Sequence, residues 1–316
     1  MAVVPFRPVP FEQVPDKPVV PHRWAEATRR DITIRTDELG EVRVAVREYG
    51  PKDASPLLLV HGMGTASYSW RYMLEPLGAV GGFRLVMPDM PGAGDSGHPD
   101  VYLGPDAMAN ALIAIVDALA LRGAPAIANS MGGYLAMRAV LRDPTLFSRL
   151  VNEHSPGVPT FKMHALRWAM RLLPSWSIVN WLIRRNPERW IHKNVHYYDE
   201  SIKSREEHAE FARPLHTREG RRTYYRQLRD TLDTKHMATF VRDLRGAPFP
   251  IPLLLVYAPA DPIVPPSVGD RLRELVPAAS FTKLKAGSHF AHVDAPSHFV
   301  DAVLPFLSGE PSARAR

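Results

Sequence analysis

AIANSMGGYLAMRAVL, residues 126–141, is the stretch on which the fold turns. Its first four residues form a short apolar run, and Tyr134 to Leu141 repeat apolar residues at helical spacing, so a buried strand passes directly into a helix. Ser130 sits at the join, followed by Met131, Gly132 and Gly133. A serine on so sharp a turn needs small residues two places before and two places after it, because the backbones approach closely there. Ala128 and Gly132 meet that need; Gly is the commoner residue at the first place, and the methyl of Ala128 is a mild crowding cost. A plain serine N-cap gives the same local pattern, and the stretch alone does not separate the two.

Working outward, further short apolar runs bounded by turn residues lie at Leu57 to Val60, Arg84 to Met87, Leu150 to Asn152, Leu253 to Tyr257 and Ser280 to Lys285. Such runs suit strands of a buried parallel sheet. Helical spacing fills Pro105 to Leu121, Val268 to Val276 and Pro296 to Leu307, so strand and helix alternate and the class is α/β. Ile32 to Thr36 and Val42 to Glu48 alternate around Asp37-Glu38-Leu39-Gly40, the pattern of an antiparallel hairpin. From Val158 to Ala247 no strand signal appears, and the segment predicts an all-helical insertion. The expected organisation is a Pro-rich arm over 1–30, a core domain over 31–157 and 248–308, a helical cap over 158–247 and a tail over 309–316. Six prolines within residues 1–22 forbid helix there; this is an arm lying on the surface or a disordered tail.

Chemistry-bearing residues follow the runs. His61-Gly62-Met63-Gly64 comes after the first, a loop whose free N–H groups suit a developing oxyanion. Asp89 to Gly97 follows the second, Asp261 stands just past Leu253 to Tyr257, and Gly287-Ser288-His289 precedes the last helix. Together with the serine turn these motifs, in this order, resemble the α/β-hydrolase fold superfamily from about residue 30 to 308. The chain is similar to its serine-nucleophile, esterase- and lipase-like members with a helical cap. The resemblance implies a mostly parallel sheet flanked by helices. It makes Ser130 the nucleophile, His289 the general base and acid, and Asp261 the residue that orients and supports the imidazole. The N–H groups of Met63 and Met131 would form the oxyanion hole, each worth about 3 kcal/mol of barrier. No cofactor or metal is implied. His292 and His298 are alternative bases, although the spacing of His289 to Asp294 and Pro296 fits the family pattern better. Glu153 is an alternative acid. Haloalkane dehalogenases and epoxide hydrolases of this fold use an aspartate nucleophile, so the serine points to acyl chemistry: esters, lactones, thioesters, small amides, N-terminal proline peptides or activated C–C bonds. Asn129-Ser130-Met131-Gly132-Gly133 is similar to the turn of meta-cleavage-product hydrolases, whereas Met63-Gly64-Thr65-Ala66 departs from their usual sequence. Receptor-like members that bind without turnover are a non-enzymatic alternative.

Composition trims the remaining classes. The absence of Cys removes thiol nucleophiles, disulfides and Cys-based metal sites. No leader-like segment or stretch of about 20 apolar residues occurs, from which a soluble cytoplasmic protein is expected. Gly92-Ala93-Gly94-Asp95-Ser96-Gly97 spells a dinucleotide-binding pattern, but His98-Pro99 continues a loop where that fold needs a helix. The formal net charge is +6. Residues 158–247 hold 18 Lys and Arg against 10 Asp and Glu, and the rest of the chain holds 21 against 23. The excess is therefore confined to the cap, which argues for a solvated lid face and against a nucleic-acid partner. Arg167, Arg171, Arg184 and Arg185 beside an apolar run also admit docking to an anionic lipid surface, an idea set behind the lid reading. His192 and His196 are four apart but lack a third ligand, and no metal site is expected. Trp168 and Trp181 of the cap, with Tyr68 and Trp70 of the core, are the candidate walls of a pocket for a hydrophobic small molecule. Oligomeric state is not legible.

Overall fold

In the computed structural model, which describes residues 7–309 apart from Leu173, eight strands form one sheet in the order β1-β2-β4-β3-β5-β6-β7-β8. The strands are β1 Thr28–Thr36, β2 Gly40–Tyr49, β3 Pro56–Val60, β4 Arg84–Pro88, β5 Ala126–Asn129, β6 Leu150–Glu153, β7 Leu253–Tyr257 and β8 Ser280–Lys283. β1 and β2 pair antiparallel, as do β2 and β4, and every other pairing is parallel. The helices are α1 Pro105–Ala118, α2 Met131–Arg142, α3 Phe161–Leu172, α4 Ser175–Arg185, α5 Pro187–His192, α6 Arg205–Ala212, α7 Arg218–Arg226, α8 Thr234–Gly246, α9 Pro266–Leu275, α10 Ala291–Asp294 and α11 Pro296–Leu307.

The central strands β3, β4, β5 and β7 are mainly apolar because both faces are covered, whereas β8 at the sheet edge is polar and half-buried. Leu58 and Val60 join one core cluster with α1, α2 and α9, while Leu57 and Leu59 join the other with α11 and the helical turns Ser67–Met73. That alternation is the pleat's period of two. The sheet order reverses at β3, which receives β4 on one side and β5 on the other. The crevice beyond the carboxyl ends of such strands is where open α/β sheets hold their ligands.

Two differences from the sequence expectations have physical causes. The hairpin is longer than its alternation, and β1 begins inside the expected arm. Residues 28–31 are solvent-exposed on an edge strand, so nothing apolar marks them. Residues 67–80 are helical, in a 3-10 run and then a π-helical run Leu74–Val80, where no element was expected. Pro76 and Gly78 hide the helical signal there. Between β6 and β7 every element is helical, α3 to α8.

The described part of the arm docks. Arg7 exchanges backbone hydrogen bonds with Tyr198 and Glu200, Arg205 N donates to Pro15 O, and Trp24 packs edge-on to Tyr68. The arm thus touches both the insertion and the sheet domain. Residues 1–6 of the expected arm and 310–316 of the expected tail lie outside the described residues. Among the described residues no helix is long and apolar enough to cross a membrane.

Candidate active site

Ser130 stands between β5 and α2 with φ 53° and ψ −123°, a conformation costly for any side chain. The strain is held by its surroundings. Ser130 N donates to Glu153 O at 2.8 Å, and a Cβ on Gly132 would fall 2.5 Å from His61 O. That approach of α2 to β3 is the reason for a small residue two places after the serine. Ala128 is fully buried and fits. The turn lifts Oγ to His289 Nε2 at 2.7 Å, and His289 Nδ1 stands 2.7 Å from Asp261 Oδ2. Oδ1 of Asp261 accepts from the N–H groups of Ile263 and Val264 at 2.7 and 2.8 Å. Burial works against the Asp261 anion, but His289 and His154 outweigh it and hold its pKa far below the usual carboxylate range.

The loop after β3 sits against this group. A Cβ on Gly62 would lie 2.8 Å from Asn129 Oδ1 and 2.9 Å from Ser130 Cβ, so only glycine lets the loop come so close. His61 locks the loop. Its Nε2 accepts from Met90 N at 2.9 Å, and its Nδ1 therefore carries the proton donated to Gly62 O at 2.7 Å. Burial disfavours protonating it further. Met131 is the first residue of α2, where a helix leaves its N–H groups unpaired. Among the described residues neither Met63 N nor Met131 N is used by another group. Two backbone donors are thus available beside the serine.

Sequence reasoning did not foresee His154 and the full role of Glu153. His154, with φ 50°, accepts Ala258 N–H on Nε2 at 2.8 Å. Its proton is therefore on Nδ1, which lies 2.8 Å from the same Asp261 oxygen that meets His289. The approach is off-axis, a dipole beside a charge and not a second well-aligned hydrogen bond. Three residues past His289, His292 Nδ1 meets Glu153 Oε2 at 2.7 Å, and the two pairs are joined by Asn129, whose amide donates to Glu153 Oε2 and to His289 O. Burial opposes the Glu153 anion, but His292 outweighs it and keeps the pKa below the ordinary value. Adjacent strands β6 and β7 bring these groups together, which no spacing along the chain records.

His154, Asp261 and His289 place donor atoms within 4.8 Å of one another, the one such trio of metal-ligating types found among the described residues. Their bonds are already committed. His289 Nδ1 and His154 Nδ1 both turn their protons toward Asp261 Oδ2, so a cation seated among the three would have to displace those protons.

Of the four expected pocket walls, two are enclosed and two are exposed. Tyr68 and Trp70 are fully buried. Tyr68 donates to Glu206 at 2.8 Å, and Trp70 stacks on His292 with ring centres 4.1 Å apart. Trp168 and Trp181 are half-exposed on the insertion. What closes over the loop after β3 is Tyr224 of α7, whose ring would lie 3.6 Å from a Cβ on Gly64, together with Phe211 and Leu215. The Asp89 to Gly97 loop folds around the Asp89 carboxylate, which accepts from Ser67 N and Asp95 N, and no helix begins in it. Asp294 accepts from Ser288 and Tyr198 and ties two loops together.

Sheet order, strained strand-to-helix serine and strand-end loops define an α/β-hydrolase. The chain belongs to the family described as alpha/beta hydrolase fold, which it matches over residues 55–296, more than half its length. It is similar to a haloalkane dehalogenase of Psychrobacter cryohalolentis, 30% identical over 142 residues, 44% of each chain. It is also similar to a 2-hydroxymuconate semialdehyde hydrolase of a Pseudomonas species, 35% identical over 107 residues, 33% of this chain and 37% of the relative. The match thus spans less than half of either relative. A solved haloalkane dehalogenase from Bradyrhizobium elkani superposes with a TM-score of 0.72 over 90% of this chain and 98% of its own, at 22% identity, and shares the fold.

Proposed function

We propose that the chain is a serine hydrolase that cleaves a carboxylic ester or lactone of a hydrophobic small molecule through an acyl-enzyme. The observation that carries this reading is the unbroken run from Ser130 Oγ through His289 to Asp261, each contact 2.7 Å. In the first half-reaction His289 Nε2 takes the Oγ proton as Oγ attacks the carbonyl carbon. The oxyanion forms between Met63 N–H and Met131 N–H. Collapse expels the alcohol, which receives the proton from His289. Water then attacks the Ser130 ester with His289 again as base, releasing the acid. Asp261 holds the imidazole tautomer and supports its positive charge. His154 is a positioning residue on Asp261: its N–H stands against the carboxylate oxygen that meets His289 and helps keep that carboxylate ionised.

The dehalogenase likeness does not extend to this chemistry. A serine attacking an alkyl halide would give an ether with no acyl carbon for water to open, whereas a serine ester is readily hydrolysed. A second reading, hydrolysis of a C–C bond beside a ketone, is supported by the likeness to the semialdehyde hydrolase. It uses the same serine. A parallel panel of p-nitrophenyl esters, lactones, aminoacyl amides and a dienoic ring-cleavage ketone separates them. Ester or lactone turnover at least about ten-fold above the others supports the first reading, and turnover of the ketone alone replaces it.

A further inference from the structure

The helix pair α3–α4 gathers most of the exposed large hydrophobic side chains among the described residues. Among the described residues six of the eleven exposed large hydrophobic side chains lie there: Phe161, Leu166, Trp168, Ile178, Trp181 and Leu182. Phe161 is 87% exposed and Trp168 57%. Their spacing is that of helix faces: 161 and 168 on α3, and 178, 181 and 182 on α4. Met170 and Ile183 are buried on the other side, so the packing demand of the pair is met without the exposed set. An apolar area of this kind marks an interaction site.

Charge identifies the partner. Residues 161–185 contain Lys162, Arg167, Arg171, Arg184 and Arg185 and no Asp or Glu. Arg167 and Arg171 are held by Asp233 at 3.0 and 2.8 Å. Among the described residues no carboxylate pairs with Lys162, Arg184 or Arg185. The Arg185 guanidinium lies 3.9 Å above the Trp181 ring, which keeps cation and aromatic at one depth. Burial first, and then the neighbouring Arg184 charge, depress the pKa of Arg221 on α7, so the positive region continues beyond α4.

We propose that α3–α4 is a docking face for an anionic lipid bilayer, lying in the membrane plane with its apolar stripes among the acyl chains and its cations on headgroup phosphates. The combination of tryptophan, phenylalanine and leucine with unpaired lysine and arginine is that of interfacial helices. A second copy of the chain would set cations against cations. A nucleic acid would use the cations and leave the apolar stripes in water. The proposal stands on this surface alone and is independent of the chemistry at Ser130.

The test is co-sedimentation of the full chain with vesicles of phosphatidylcholine alone and of phosphatidylcholine mixed with phosphatidylglycerol, at low and physiological salt. Binding to the anionic vesicles, several-fold above the neutral ones and falling with salt, is expected. Phe161→Glu with Ile178→Glu should lower the partition constant by about ten-fold or more. The charge-matched pair Val19→Glu with Val80→Glu, exposed elsewhere, should lower it far less. Circular dichroism and melting of each variant establish folding, and all four side chains are exposed. No vesicle binding, equal binding to both vesicle types, equal loss in both variant pairs, or a dimer dissolved by the first pair with no effect on vesicles would each overturn the proposal.

Discussion

Two buried carboxylate–imidazole pairs lie side by side at the carboxyl ends of the sheet strands, and the difference that bears on chemistry is what the outer nitrogen meets. Asp261–His289 points Nε2 at a strained serine. Glu153–His292 has the same 2.7 Å contact, yet its Nε2 is buried without a partner among the described residues, and its ring lies flat on Trp70. A carboxylate that supports an imidazole is therefore not by itself a catalytic device. The reacting oxygen and the donors beside it make the difference, and the second pair serves as the wall that holds the first, through Asn129.

Ser130→Ala should break the contrast completely, lowering turnover of a p-nitrophenyl ester by at least about 10⁴-fold with the melting temperature nearly unchanged. Steady-state rates of purified protein check it. Next come the two acids. Asp261→Asn should cost about 10⁴-fold in kcat, because the amide favours the wrong imidazole tautomer. Glu153→Gln should cost less than about ten-fold in kcat but lower stability by about 1–3 kcal/mol, as a buried acceptor is lost. Comparable kcat losses in both would erase the distinction drawn between the pairs.

Removing the imidazole beside Asp261 sharpens it. His154→Phe takes an N–H from Asp261 and an acceptor from Ala258 N–H, and should lower kcat by about ten-fold with KM nearly unchanged. His154→Asn, which keeps a donor and tolerates the left-handed backbone, should recover most of the loss. An unchanged kcat in the phenylalanine variant would show that His154 only fills space.

The smallest effect concerns an imidazole with no carboxylate hydrogen-bonded to it. His208 lies against Phe11 and His192, and burial first, then the charges of His192, Lys203 and Arg205, push its pKa down to about 3 from 6.5. The folded chain thus binds this proton less readily than the unfolded chain. Its contribution is complete above pH 6.5 and is lost as pH falls from there toward 3. Denaturant titrations should show His208→Gln flattening that slope.

Where local backbone geometry dictates residue type, the sequence was legible. The apolar runs, the small residues around Ser130 and the glycines of the loop after β3 each answer a steric demand that spacing records. The burial of Tyr68 and Trp70 is not legible in the sequence, because spacing along the chain does not say which way a side chain turns. His154 escaped notice because it meets Asp261 through neighbouring strands β6 and β7, more than a hundred positions apart along the chain. The docked arm was hidden for the same reason, since its bonds to Tyr198, Glu200 and Arg205 are made by backbone atoms.

The central claim is that Ser130 is activated by His289 and not by its neighbour. Fluorophosphonate labelling followed by peptide mass spectrometry tests it on wild type, His289→Ala and His292→Ala. The account predicts a single adduct on Ser130, lost or slowed by at least about 10³-fold in His289→Ala and retained in folded His292→Ala. An adduct on another residue, or labelling that survives in His289→Ala and fails in His292→Ala, would contradict it.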